Sequence, residues 1–349
     1  MNPHLQPWAV SADDYPGDSF TSDQLSFLLG YAVLAPSNHN TQPWLFRVNV
    51  SNVELFADRR RALRVVDPCD RELTLSCGAA LFNLRTAAEY FGHAYEVELA
   101  PDPAQANLLA RFFLRLSTET SSEDVLLFNA IQSRRTNREP FREDPVSQEI
   151  LGELADAAAR EGAWFEVLDD DSRRVTAAEL VALGDRAQWR SPEFRKELAK
   201  WVRPDAGHHA DGIPTRDYGV HDWLSFAGPA LIRSFNRGNN QAARDTDIAL
   251  HSPALAVLGT DRENVRGWLE AGQALQSVLL HAHSEGVAAS FLNQPLEVED
   301  LRPQLGDLTG RGGFPQVLLR LGYPTVEPPP SPRRGGRAVL LQHQHEVQH

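Results

Sequence analysis

The sequence predicts an α+β fold made of two tandem copies of one unit, each a mixed sheet flanked by helices, packed on each other as an intramolecular pseudo-dimer. Three matches carry this prediction. "GAALFNLRTAAEYFG" (Gly78 to Gly92) aligns without gaps on "GQALQSVLLHAHSEG" (Gly272 to Gly286), with both glycines, Leu81/Leu275 and Ala88/Ala282 coinciding. "FLRL" at Phe113–Leu116 parallels "LLRL" at Leu318–Leu321, and "WLFRV" at Trp44–Val48 parallels "AWFEV" at Ala163–Val167. Three matches in one order point to duplication, with one unit over 20–120, a second over 121–340 and a boundary near 117–124.

Each element has its own signal. Ser22 can cap a helix whose apolar positions are Leu25, Leu28, Leu29, Ala32 and Val33, a core-facing stripe that Pro36 stops. "WLFRVNV" and "VELFAD" alternate as two strands, with Ser51–Asn52 as the hairpin turn between them. A helix begins near Cys77–Gly78 and ends at Gly92, Pro101–Ala104 is a turn, and "LLARFFLRL" is a buried strand. "DVLLFNAIQS" (Asp124 to Ser133) is a helix that runs into "RRTNREPF". The second unit carries an addition over 181–255, rich in Trp, Arg, His and Gly, which reads as a lid insertion containing one short helix from the Ser191 cap. The C-terminal "GYPTVEPPPSPRRGGRAVL" is extended and proline-stiffened, and "QHQHEVQH" is a frayed tail.

Length and charge narrow the function. A chain of 349 residues holds two domains' worth of core, and its net charge of −13 argues against nucleic acid or an anionic membrane as partner. Basic clusters at Arg59–Arg61, Arg134–Arg138 and Arg333–Arg337 are local, which suits a small anion. No stretch of about 18 apolar residues exists, and the N-terminus lacks the basic-then-apolar pattern of a signal peptide, so the expectation is a cytoplasmic protein. Cys69 and Cys77 read as reduced thiols, not a disulfide or a zinc site.

Two stretches carry chemistry. "SRRTNREPF" places Arg134, Arg135, Thr136 and Arg138 at a helix end, where guanidinium forks and a hydroxyl match phosphate oxygens; a solvated helix terminus is the alternative. The match to a second basic stretch, "SPRRGGR", favours convergence on one anion. "LAPSNHNTQPW" (Leu34 to Trp44) puts a hydroxyl and three carboxamides on a proline-stiffened loop. Ser37, Asn38, Asn40 and Gln42 suit a heterocycle edge such as a flavin's pyrimidine ring, or else cap the helix and satisfy their own turn. "GRGGFP" is no dinucleotide fingerprint, and neither G-x-S-x-G nor H-E-x-x-H occurs. His281 and His283, two apart on a helix, read as structural; His208–His209 read as loop and His343, His345 and His349 as tail.

"APSNHNTQPWLFRV" resembles the "PS-x-x-N-x-QPW" signature of the flavin-dependent nitroreductase superfamily, and "RRTNREPF" its "RRS-x-R-x-F" phosphate motif with Thr136 replacing Ser. "RVVDPCDRELTLSCGAALFNLR" and "LGYPTVEPPPSPRR" are similar to the Acg-type branch, whose chains fuse two nitroreductase units. The resemblance implies bound FMN, reduced by NAD(P)H and reoxidised by a small electron-poor acceptor such as a nitroaromatic or quinone. It further implies that Arg134, Arg135, Thr136 and Arg138 take the phosphate and ribityl tail, helped by Arg333 or Arg334. Pro36, Ser37, Asn38, Asn40 and Gln42 would then meet the ring, and Ser290, Phe291 and Leu292 of "ASFLN" would face its reactive edge.

The amide loop stands only in the first copy and the arginine motif only in the second, so one flavin per chain is expected, in a monomer acting as its own pseudo-dimer. No catalytic acid or base and no metal ligand is assigned. The alternative is an FMN storage or sequestration protein, its flavin covered by the lid.

Overall fold

The structure, a computed structural model, describes residues 3–17, 21–117, 119–203, 209–214 and 238–341. In chain order the helices are α1 (Thr21–Ala32), α2 (Arg71–Tyr90), α3 (Ser122–Ser133), α4 (Gln148–Arg160), α5 (Asp171–Arg190), α6 (Pro192–Trp201), α7 (Gly238–Leu250), α8 (Val265–Ser284), α9 (Arg302–Thr309) and α10 (Gly336–Val339). The strands are β1 (Trp44–Val48), β2 (Asn52–Ala57), β3 (His93–Leu99), β4 (Leu108–Ser117), β5 (Trp164–Val167), β6 (Val202–Arg203), β7 (Ile213–Pro214), β8 (Ala254–Thr260), β9 (Ala288–Phe291) and β10 (Phe314–Gly322).

The strands form two four-stranded sheets, ordered β1-β2-β4-β3 and β5-β8-β10-β9. Matching β1, β2, β3 and β4 with β5, β8, β9 and β10 makes the two orders identical. The mixed sheets expected from the sequence are corrected here: every bonded pair in both is antiparallel. The reason is a strand insertion. α2 carries the chain from β2 to β3, which run in the same direction, but β4 lies between them and pairs antiparallel with each. β10 does the same between β8 and β9.

Other expectations shift locally. β1 and β2 pair from Val48↔Val53, and Asn49 N–H donates to the Asn52 carbonyl at 2.8 Å, so the turn centres on Val50–Ser51, one residue earlier than expected. Val50, expected on the inner face, is 86% exposed as a result. β3 has no counterpart in the sequence reading, because "HAYEVEL" is an edge strand whose residues are half-buried or exposed.

The helices α2 and α8 pack on each other between the two sheets. Both helices are 20 residues long and begin and end at positions that the gapless alignment equates. They cross where Gly78 lies on Gly272: a Cβ on Gly78 would sit 2.5 Å from the Leu269 carbonyl oxygen, and one on Gly272 would sit 2.1 Å from that of Leu75. Leu75 and Leu269 are themselves aligned, so the contact is reciprocal, as at a two-fold interface. Arg85 of α2 reaches Glu161 and Gln273 (2.8 Å to the latter), and Gln276 of α8 donates to Asn83 of α2 at 2.7 Å.

Among the described residues, the expected lid is mostly helix. Where β1 and β2 are joined by a hairpin, β5 and β8 are joined by α5, α6, β6, β7 and α7. α5 covers the second face of the second sheet through Ala177, Ala178, Leu180 and Val181, which is why β8 is buried at all seven positions. Residues 204–208 and 215–237 of that insertion lie outside the described residues, as do His208 and the tail histidines. Among the described residues, no helix is long and apolar enough to cross a membrane. Cys69 is exposed and Cys77 buried, both as free thiols.

Candidate functional site

After α3 the chain turns extended at Arg134 (ψ 131°) and runs beside β9. Thr136 forms a parallel bridge with Ala289, and Asn137 N–H donates to the Ala289 carbonyl at 3.0 Å. The arginine motif and "ASFLN" are therefore laid side by side by sheet hydrogen bonding. Opposite them stand the amide loop, the start of α2 and the returning C-terminal segment. Together these enclose a cavity of about 300 Å³.

Of the residues expected from the sequence, Arg134, Arg135, Thr136, Arg138, Pro36, Ser37, Asn38, Asn40, Ser290, Phe291, Leu292 and Arg333 line this cavity. Gln42 and Arg334 do not. The Gln42 side chain donates to the Ala210 carbonyl at 2.8 Å and accepts from the Arg334 backbone at 2.7 Å, while the Arg334 guanidinium is spent on the Gln42 and Ala338 carbonyls. This pair ties the C-terminal segment to the loop, and both side chains are occupied by protein groups. The Arg59–Arg61 cluster is likewise neutralised, by Asp70, Asp58 and Asp211.

The arginine end of the cavity is electrostatically unfinished. Arg134 is 5% exposed and Arg333 4%, yet neither forms an ion pair among the described residues, nor does Arg135. Arg333 Nε is buried without a hydrogen-bond partner. Burial, then mutual repulsion, lowers Arg333 to about 9 and Arg134 to about 10; burial lowers Arg135 to about 10. Trp8 lies between two of these guanidinium groups, 3.9 Å from Arg135 and 4.9 Å from Arg333, an arrangement that spreads charge over a π face but does not cancel it. Buried cations without counter-ions are costly, and an anion with several acceptor oxygens would relieve them.

The amide loop is strained. His39, Asn40 and Gln42 have φ of 49°, 52° and 50°, three left-handed non-glycine residues within four positions. Such conformations concentrate at functional sites. Its carboxamides mostly hold the protein's own groups. Asn40 donates to the Gly212 and Pro332 carbonyls (3.2 and 3.1 Å) and accepts from Arg333 at 3.0 Å; Ser37 Oγ accepts from the Gln42 backbone at 2.9 Å. Asn38 donates to Glu72 and, at 3.3 Å, to Glu297. His39 Nδ1 has no partner, and burial together with Arg138 lowers its ring to about 4, so it is neutral.

Several cavity residues escaped the sequence reading. Glu72 and Glu297 face each other, and so do Asp185 on α5 and Asp245 on α7; burial, then the neighbouring charge of Asp245, raises Asp185 to about 8. Gly184 lets α5 approach the 294–296 turn, since a Cβ there would sit 2.8 Å from Gln294. Gln294 then bridges the two aspartates, at 3.3 and 2.8 Å. Arg320 is 2% exposed with Nη1 unpartnered, while Nη2 donates to the Asn137 carbonyl at 2.8 Å. A lone arginine inside "LLRL" was the available signal for it.

A second cavity lies at the related position. Extending the helix alignment equates Glu72, Ser76 and Ala79 of the first with Arg266, Glu270 and Gln273, which line the second. Its arginines are all paired: Arg85 with Glu161, Arg111 with Glu54, Arg160 with Glu123 and Arg266 with Glu270. His281 and His283 line neither cavity; they bond Glu123 and Ser133. Among the described residues no group of three or more His, Cys, Asp or Glu is placed to hold a metal.

Comparison with known proteins identifies the family. The family model described as "Nitroreductase family" matches residues 131–323. The chain is 34% identical over 322 residues to "Putative NAD(P)H nitroreductase Rv3131" of Mycobacterium tuberculosis, covering 88% of each. It is 30% identical over 325 residues to "Putative NAD(P)H nitroreductase acg" of the same organism, covering 91% of this chain and 96% of that one. A solved nitroreductase with bound FMN from Desulfitobacterium hafniense aligns at 16% identity over 59% of this chain and 93% of its own, with a TM-score of 0.36. With identity of three in ten or better over most of the length of two relatives, and over half its own length inside the family model, the chain belongs to the nitroreductase family.

Proposed function

We propose that the protein is an FMN-dependent oxidoreductase of the nitroreductase class, taking hydride from NAD(P)H and passing electrons to a nitroaromatic or quinone-like acceptor. The observation that carries this is that Arg134, Arg135 and Arg333 have no carboxylate counter-ion among the described residues. Arg134, Arg135 and Arg333, with Arg138 and the Thr136 hydroxyl, fit a phosphate ester, and the orphaned Arg333 Nε is one donor it would satisfy. Bound FMN would supply the hydride chemistry. The chain's own tasks are anchoring the phosphate, seating the ring against 290–293 and the strained loop, and restricting water.

The same geometry supports reading the chain as a fused pseudo-dimer with one cofactor. The identical sheet orders and the reciprocal Gly78–Gly272 contact fit duplication, with units over 20–120 and 121–340. The second cavity, its arginines neutralised, offers a phosphate nothing to complete. A storage or sequestration role is the rival reading, favoured by one feature: Trp189, Phe194, Leu198 and Ile213 of the insertion wall the first cavity. Anaerobic addition of NADPH to the FMN-loaded protein separates the two. Prompt bleaching of the flavin supports the enzyme; oxidised absorbance that persists with NADPH yet vanishes with dithionite supports storage.

A further inference from the structure

Glu72 opens α2 in the first unit, and Glu297 follows the 294–296 turn in the second; both line the cavity. Their carboxyls face each other across one shared amide donor, a placement that favours a single proton held by the pair. One amide nitrogen, Asn38 Nδ2, serves both, reaching Glu72 Oε2 and Glu297 Oε1. The Glu72 carboxyl also accepts from Arg71 at 2.7 Å and from Asn293 at 3.4 Å, and Glu297 accepts from Gln188 on α5. We propose that Glu72 and Glu297 form a proton-holding pair in the cavity wall, and that Glu297 delivers its proton to the reduced acceptor.

The neighbouring charges assign the proton. Burial raises the Glu72 carboxyl and Asp67 adds to that, whereas Arg71, in direct contact, favours its ionised form. Glu297 meets only amide donors at contact distance, and burial, followed by the charge of Glu72, holds its carboxyl well above the usual carboxylate range. Two carboxylates this close do not both ionise. The pair thus carries one net charge and one transferable proton, placed between the amide loop and residues 290–293.

The step balances for a quinone. Under the oxidoreductase reading, on which this inference rests, the acceptor gains two electrons and one proton as hydride, leaving one oxygen anionic. The Glu297 O–H bond breaks, a new O–H bond forms on that oxygen, and the hydroquinone leaves neutral. Glu297 regains its proton from water before the next turnover.

The test has two readouts. In cofactor-free protein at neutral pH, infrared difference spectra between wild type and Glu297→Gln should show the carbonyl stretch of one protonated carboxyl, lost in the variant. In FMN-loaded protein reduced with dithionite, reoxidation by 1,4-benzoquinone should slow by about a hundredfold in Glu297→Gln, the range of a lost general acid, with its pH dependence flattened. Glu72→Gln serves if the first variant does not fold, and should weaken the same band and slow the same step. Absence of the band from the wild type minus Glu297→Gln difference spectrum, or reoxidation of both variants within twofold of wild type, overturns the proposal. Reduction with dithionite keeps this outcome separate from the NADPH reading, and the infrared measurement needs no flavin.

Discussion

Replacing Arg134 with methionine should move stability and cofactor affinity in opposite directions. Burial and the Arg135 charge lower the Arg134 guanidinium from the usual arginine range to about 10. At ~1.4 kcal/mol per pH unit, that is about 3 kcal/mol of unfavourable burial of the charged form, and the group is 5% exposed, so solvent screening removes little of it. The sign is fixed: below about pH 10 the cation is present in folded and unfolded chains alike, so the cost is constant there and is relieved only as pH rises through 10. Methionine keeps the apolar stem without the charge. Cofactor-stripped Arg134→Met should therefore be more stable than stripped wild type, by up to about 3 kcal/mol. Its FMN affinity should fall by ten- to a hundredfold, since a charge-assisted bond contributes roughly 1.5–3 kcal/mol. Denaturant unfolding of the stripped proteins and titration with FMN read both quantities. A stripped variant less stable than wild type, or one that binds FMN with full affinity, would refute the reasoning.

Three further outcomes follow from the geometry. Gly272→Ala puts a methyl 2.1 Å from a backbone oxygen and should cost at least 1–3 kcal/mol, read as a lowered denaturant midpoint; an unchanged midpoint would mean the helices do not cross there. Gln42→Ala removes the ties to Ala210 and Arg334 and should cost about 1–3 kcal/mol with little change in flavin potential; a shifted potential without destabilisation would point to the ring contact instead. For Asp185, whose folded carboxyl titrates near 8 against 3.8 unfolded, stability is highest below pH 4 and is lost as pH rises toward 8. Asp185→Asn should lose that slope, ~1.4 kcal/mol per pH unit, and an unaltered pH–stability profile would remove the buried-acid assignment.

Much of this was legible in the chain. Local patterns located α1, β1, β2, α4's neighbour β5 and both central helices, because burial of apolar stripes is written at short range. The gapless match aligned Gly78 with Gly272, but nothing in it said that the two glycines touch. The arginine motif was readable because three arginines and a threonine stand together in five residues, and a signature motif named the family. What escaped depends on partners far away in sequence. Glu72 looks like an ordinary first-turn acid until Glu297 meets it, 225 positions later by their numbers. Gln42 looks like a ligand-facing amide until the C-terminal segment returns to occupy it. The strand β3 hides because an edge strand needs no apolar run, and the sheets looked mixed because nothing local says that β4 inserts between β2 and β3.

The central claim is that one cavity, with cationic anchors from the second unit and a strained loop from the first, takes one flavin while its related cavity takes none. Titrating the stripped chain with FMN under equilibrium dialysis measures this directly. The account predicts saturation at one equivalent per chain, abolished by replacing Arg134 and Arg333 together. Saturation at two equivalents, or unchanged binding in that double variant, would contradict it.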